Sequence, residues 1–442
     1  AMESYFGRIN LSYLDRYILN VTMRSDGSSR FAPSDRYGYF PSVSLGWNVS
    51  KESFWKFPQT DLKFRLSYGK TGNQDGIGNY AWQPLMSGGI NYGNNSGMAV
   101  TSMGNNKLTW ETADQYDFGF DLGFWNGKLN MIADIYLKNT NNLLYSMPLH
   151  GTSGFTSITS NIGSMRNYGV EFSINGHLNI GKVNWTSSFN ISHNKNKLTK
   201  LLGDDLLPIG SNRALKVGEE LGAFYLFQMD GLYQYDGEVP QPLYDLGVRA
   251  GDVKYHDADN NGIINDNDRV LTGSSNPDFF GGWNNTFKYK GFQLDVFFTY
   301  MYGNDVYAEW AVTATRPGYR MAITEDVAKN RWTAPGSSDK YPRAVNTLCG
   351  HNSKNSTRFL EDGSFIRLRS LTFSYTFPQV MLQKICLKGL RLYVQGDNLL
   401  LFSKYSGWDP EVSKNMDPQY FGVDLYGVPP SRSVNFGINL SF

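Results

Sequence analysis

The 442 residues predict an all-β fold of one kind, an antiparallel transmembrane β-barrel. Three observations carry the prediction. Apolar and polar side chains alternate in runs of about ten residues, the length a tilted strand needs to cross a bilayer. The spans between runs are alternately short and long. The chain also closes on an alternating apolar run that finishes at Phe442.

About thirteen crossings are expected, near 5–13, 16–25, 39–49, 61–70, 109–125, 128–138, 166–179, 182–194, 279–289, 291–302, 363–376, 389–398 and 432–442. In the second, Tyr17, Leu19, Val21 and Met23 face away from Arg16, Asn20, Thr22 and Arg24. In the fourth, Leu62, Phe64, Leu66 and Tyr68 alternate with Lys63, Arg65 and Ser67. The fifth sets Tyr116, Phe118, Phe120, Leu122 and Phe124 against Gln115, Asp117, Gly119, Asp121 and Gly123. Asp117 and Asp121, with Asp134 of the sixth, are expected on the lumen side. The sixth repeats the pattern through Leu129, Met131, Ala133, Ile135 and Leu137, and the tenth through Phe292, Leu294, Val296, Phe298 and Tyr300. The last runs Val434, Phe436, Ile438, Leu440, Phe442, as the closing strands of outer-membrane barrels do.

The connections set the sidedness. Short ones fall at Leu14–Arg16, Asn126–Gly127, Gly181 and Lys290, with longer ones at 50–60 and 377–388. Long ones fall at 26–38, 71–108, 139–165, 195–278, 303–362 and 399–431, always alternating with the first group. Outer-membrane barrels have short periplasmic turns and long extracellular loops, whereas a soluble sandwich has no reason to sort its loops. The span 195–278 is expected to be a long extracellular insertion, within which 215–235 alternates only partly and adds no crossing. A last strand ending at the periplasmic face and an odd number of crossings would start the chain outside, near an extracellular loop where nicking concentrates. The opening AMESYFGRIN is already strand-like, as expected of a fragment or processed piece.

Composition agrees and excludes other classes. With 28 Tyr, 28 Phe and 10 Trp the chain is 15% aromatic, and 46 Gly serve tight turns. Its 41 basic and 40 acidic residues leave no cationic excess for phosphates, so no nucleic-acid partner is expected. No run of about 18 apolar residues forms a transmembrane helix. Low mean hydropathy is compatible with a barrel, because lipid-facing and lumen-facing residues average out. Cys349 and Cys386 are too few for a disulfide scaffold; they either pair or stay free. His150, His177, His193, His256 and His351 supply no H-E-x-x-H spacing, no G-x-S-x-G elbow occurs, and no enzyme activity is expected. Rings in the long spans, among them Tyr92, Trp310, Tyr319, Trp332, Tyr405 and Trp408, could stack on sugars, form an interfacial girdle or pack against a partner.

One local motif points to a metal. Asp257, Asp259 and Asn261 take positions 1, 3 and 5 of a calcium loop, Gly262 position 6 and Ile264 position 8, with Ile263 offering its carbonyl. Position 12 is Asp268 instead of the longer Glu, and the flanks do not look helical. Two readings stay open for 257–268: a structural Ca²⁺ (or Mg²⁺) that stiffens an extracellular loop, or a polar Asx-turn loop that satisfies its own amides.

Several segments resemble a known family. SYFGRINLSYLDRYILNVTMRSDGSSRF, FPSVSLGWNVSKESFW, LKFRLSYGKTGNQDGIGNY, LTWETADQYDFGFDLGF, GDVKYHDADNNGIINDNDRV, FLEDGSFIRLRSLTFSYTFP and LRLYVQGDNLLLFSKYSGWDPEV resemble the SusC/RagA TonB-dependent transporters, in the family's order and from about residue 4 to 442. The resemblance implies a 22-stranded barrel, of which this chain would be the C-terminal part with about nine strands lacking. It also implies an N-terminal plug, held on a separate chain or a preceding segment, TonB acting through that part, and a SusD-like surface lipoprotein. The implied setting is the outer membrane of a Gram-negative bacterium of the Bacteroidetes, in contact with its lipid. The implied function is energy-coupled import of bulky nutrients, oligosaccharides first. The alternatives are an oligopeptide importer of the same family and a passive porin.

Overall fold

The alternation does fold as strands. A computed structural model describes residues 1–442 apart from 202, 204–205, 319–320, 346–349, 384–386 and 417–419. Thirteen strands form one antiparallel sheet in chain order. They are β1 (Met2–Tyr13), β2 (Tyr17–Ser28), β3 (Tyr37–Asn48), β4 (Asp61–Asn73), β5 (Glu111–Phe124), β6 (Leu129–Pro148), β7 (Ser157–Ile180), β8 (Val183–Leu201), β9 (Phe279–Tyr289), β10 (Phe292–Tyr302), β11 (Phe365–Thr376), β12 (Gly389–Ser403) and β13 (Ser433–Ser441). Every expected crossing is present, and 215–235 adds none to this sheet. Among the described residues no helix is long and apolar enough to cross a membrane.

Register turns the period-2 pattern into two chemically different faces, because directly paired residues point the same way. One row runs Leu11, Leu19, Leu45, Leu66, Phe118, Ile135, Val170 across β1–β7. Most of these side chains are exposed, which suits a lipid-facing surface. One residue along, the row on the other face reads Asn10, Asn20, Ser44, Ser67, Asp117, Tyr136, Gly169, Asn194. A slip of one residue would put the asparagines and aspartates into lipid, so the pattern itself fixes the pairing.

Two spans differ most from expectation. The stretch 139–165 is mostly strand: β6 and β7 stay paired up to Pro148 opposite Ser157. β6, β7 and β8 are 20, 24 and 19 residues long, well beyond a single crossing. The extra length is rich in Asn, Ser and Thr, so no apolar alternation announces it. β8 likewise absorbs 195–201 from the expected insertion.

The chain divides into two compact units, 1–205 with 216–219 and 285–289, and 206–215 with 220–284 and 290–442. In the second, the described residues of 206–215, 220–278, 303–364 and 404–432 fold together. A four-stranded sheet joins Leu206–Ile209, Arg213–Lys216, Ala223–Phe227 and Arg269–Ser274. One core gathers Phe224, Leu226, Val306, Tyr307, Phe359, Tyr405 and Val423, and another Phe227, Tyr233, Val248, Val253 and Tyr255. In the first unit Phe40 of β3 packs with Phe31, Ile77, Leu108 and Trp110 from the adjoining spans.

Candidate functional site: the polar wall and the loop insertions

On the polar face of β2–β6 a groove is lined by Asn20, Ser44, Lys63, Arg65, Ser67, Asp117 and Asp134. Asp117, Asp121 and Asp134 all lie on this face, as the alternation predicts. The Asp117 carboxylate accepts from Ser67 Oγ at 2.9 Å and from Gln115 Nε2 at 2.8 Å. Arg65 on β4 bridges to Asp121 Oδ1 and, over the intervening strand, to Asp134 Oδ1, both at 2.9 Å.

That second bridge depends on a glycine. Arg65, Gly119 and Asp134 are consecutive partners in register on β4, β5 and β6. A Cβ at Gly119 would lie against the Asp134 carboxylate and the Arg65 guanidinium. Tyr136 uses the same device, lying over Gly169 to donate to Asn194 Oδ1 at 2.8 Å. The glycines of these strands therefore make room for flat, cross-strand polar contacts. Gly119→Val is expected to part Arg65 from Asp134 and destabilise the wall by about 1–3 kcal/mol, as overpacking does. Arg65→Gln, which leaves the room intact, should cost about 1 kcal/mol or less, since the pair is partly solvated. Urea midpoints of the two variants in detergent check the difference.

The calcium-like loop sits between Val253–Tyr255 and Arg269–Ser274, with no flanking helices. Carboxylate oxygens of Asp257, Asp259 and Asp268 come within 4.8 Å of one another. Asp268 is fully buried, and its two oxygens accept from the amides of Ala258 (2.9 Å) and Asn265 (2.8 Å). Asp257 accepts from Asn261 N at 3.1 Å and Gly262 N at 2.7 Å, and these amides hold its carboxyl below the usual range. Asn261 donates through Nδ2 to Asp259 at 2.8 Å, while its Oδ1 accepts from Ile263 N, also at 2.8 Å. Asn260 and Gly262 take left-handed φ of 55° and 76°, where Asn and Gly are tolerated. The loop thus satisfies its own amides, as one of the two readings expects. Among the described residues none of the three aspartates forms an ion pair. The donor set fits a hard cation.

The aromatic candidates separate. Tyr92 and Trp408 are exposed. Tyr405 is buried, donating to Asp424 Oδ2 at 2.7 Å and accepting from Trp310 Nε1 at 3.1 Å, so these two rings are packing elements. Trp332 donates to Gln234 Oε1 at 3.1 Å. Tyr319, Cys349 and Cys386 lie outside the described residues.

Two polar knots escaped the sequence reading. Asp252, buried, holds Arg343 through Nε and Nη2 at 2.9 Å each and accepts from Asn352 Nδ2 at 2.8 Å. Arg367 of β11 pairs with Asp409 at 2.6 Å and Glu411 at 2.9 Å, and Glu411 also takes Arg369 at 2.8 Å. The partners are far apart in sequence, and charge type alone does not say which acid meets which base.

A sheet of consecutive hairpins with one greasy and one polar face is the wall of an outer-membrane β-barrel. The TonB-dependent receptor-like β-barrel family matches residues 2–399, and the chain belongs to it, within the SusC/RagA group. It is 34% identical over 463 aligned positions to TonB-dependent receptor P3 of Formosa agariphila, covering all of this chain and 45% of that protein. It is 31% identical over 473 positions to TonB-dependent receptor SusC of Bacteroides thetaiotaomicron, covering 44% of it. The solved RagAB peptide transporter superposes with a TM-score of 0.86 at 27% identity, over 100% of this chain and 48% of that one. The chain thus spans about half the length of the relatives it matches. Its place is the outer membrane.

Proposed function

We propose that this chain supplies barrel wall and extracellular insertions to a TonB-dependent importer of bulky polar nutrients, acting with a SusD-like surface lipoprotein and with TonB through an N-terminal plug. The observation that carries the reading is the two-faced sheet, whose polar side offers ion pairs, amides and hydroxyls along a groove. We read oligosaccharides as the first substrate class: the polar side chains along the groove suit hydroxyl-rich solutes, and in the second unit, taken by itself, Trp408 is an exposed ring of the kind that stacks on a flat sugar face. Oligopeptides are the second reading, favoured by the likeness to the RagAB peptide transporter. A strain deleted for the full-length gene, grown on panels of glycans and of peptides and complemented in trans, tests both. Loss of growth on glycans supports the first reading and loss on peptides the second; unchanged growth on all of them overturns import of these nutrients.

We also propose that Asp257, Asp259, Asn261, Ile263 and Asp268 hold a structural Ca²⁺, three clustered carboxylates being its main support. Saturating Ca²⁺ at about 100 times its Kd would add about 2.7 kcal/mol. The unfolding midpoint of the full-length protein should rise with Ca²⁺, fall back with chelator, and lose the response in Asp268→Asn. A midpoint indifferent to Ca²⁺ returns the loop to its Asx-turn reading.

A further inference from the structure

The short-turn end of the first unit carries one connection much longer than its neighbours, residues 49–60 between β3 and β4. It is not loose. Glu52 gathers Tyr17 Oη (2.7 Å), Trp47 Nε1 (3.1 Å) and Arg16 Nη1 (3.3 Å). Trp55 Nε1 donates to the carbonyls of Phe57 and Thr60, each at 3.0 Å, and the Gln59 carbonyl accepts from Asn126 N of the next turn. Tyr17 and Trp47 belong to the greasy face, where Trp47 meets Phe64 and Phe64 meets Phe118 at ring distances of 6.2 and 6.1 Å. The Glu52 contacts therefore fasten the segment to the lipid side of the sheet.

From that fixed base Phe54 and Phe57 project with 59% and 63% of their surface exposed. A rigidly held turn has no reason to leave two phenylalanines in water. Lys51 and Lys56 are also exposed, and neither forms an ion pair among the described residues. Phenylalanine beside lysine, continuous with a lipid-facing band, is the chemistry of the headgroup boundary: rings enter the acyl region and ammonium groups meet anionic phosphates.

We propose that residues 49–60 form an interfacial anchor that inserts Phe54 and Phe57 into the adjoining phospholipid leaflet and sets Lys51 and Lys56 against anionic headgroups. The inference rests on the membrane placement of the strands and not on the import reading, so either can fail alone.

The test uses the full-length transporter on a cysteine-free background, folded into nanodiscs of phosphatidylethanolamine and phosphatidylglycerol. An environment-sensitive fluorophore is attached at Phe54→Cys and, separately, at Phe57→Cys. With phospholipids brominated high on the acyl chain, emission at both sites should be blue-shifted and mostly quenched. A probe at Asn94→Cys, on an exposed loop of the opposite end, should stay water-like. Replacing phosphatidylglycerol by phosphatidylcholine should lessen quenching, and Lys51→Gln with Lys56→Gln should remove that lipid dependence. Water-like emission at either phenylalanine position overturns the anchor. Blue-shifted emission without quenching also overturns it, since the rings would then be covered by protein. A lipid-independent signal overturns the role of the lysines. If one labelled variant fails to fold, intrinsic quenching of Trp55 in the otherwise native protein, taken against Trp55→Phe, decides between the same outcomes.

Discussion

Replacing Arg367 with methionine is expected to destabilise the second unit by about 3–5 kcal/mol, because it strips the partner from a buried carboxylate. The side chains of Arg367 and Asp409 are only 3% and 4% exposed, and their nitrogen and oxygen are 2.6 Å apart. Without the guanidinium, Asp409 keeps, among the described residues, one amide bond, from Glu411 N at 2.8 Å, too little for a desolvated charge. Glu411 is better placed, since it retains Arg369. Removing both charges together, Arg367→Met with Asp409→Leu, should recover most of the loss, as apolar pairs of similar volume do. The readout is urea unfolding of the detergent-folded, full-length protein, with limited proteolysis within 404–432 reporting release of that span from β11. A single variant as stable as the double would mean that Asp409 finds another partner or water.

The second large effect is at Tyr307. Its ring is completely buried between Phe224 and Phe359, with centroids 6.0 and 6.2 Å away. Its hydroxyl donates to Asn355 Oδ1 at 2.9 Å, and its backbone bonds both ways to the last insertion, N–H to Gly422 O and C=O from Asp424 N. Burial pushes the phenol well above the usual tyrosine range, so it remains a neutral donor at any physiological pH. Tyr307→Ala should cost about 3–5 kcal/mol through the cavity alone. Tyr307→Phe, which keeps the volume, should cost about 1 kcal/mol for the hydrogen bond. Chemical unfolding monitored in the insertions should show this ranking; equal losses in the two variants would mean that the hydroxyl, not the ring, holds the core.

What the sequence made legible follows from what is local. A strand with lipid on one side and water on the other alternates residue by residue, so β1–β5 and β9–β13 could be placed within a few positions. The far halves of β6 and β7 stand beyond the greasy zone, where NTNNLLYSMP pairs without alternating. Face assignment was equally local, and Asp117, Asp121 and Asp134 lie where alternation puts them. Partners are another matter. Nothing near Arg65 in sequence announces Asp134, 69 residues on, although Gly119 between their strands is the mark of a side chain passing overhead. Tyr405 and Trp310 took no single role from the sequence, because aromatic residues in long spans resemble one another, whether they bind solutes or fill a core. The spacing of Asp257, Asp259 and Asp268 did bring three carboxylates together, while the amide of Asn261 turned to its own loop.

The length of the β6–β7 hairpin has a mechanical consequence. At about 3.3 Å per residue the longer strand runs on the order of 80 Å, against roughly 30 Å of hydrocarbon. Its ladder of hydrogen bonds, shifted in register between Asn141 and Leu144, resumes and continues to Pro148 opposite Ser157, so the projecting part is a lever arm and not a tether. Shear between neighbouring staves by the width of one side chain would sweep the tip through a much wider arc. A fluorophore at Thr152 would then be an amplifying gauge of strain in the membrane-embedded wall.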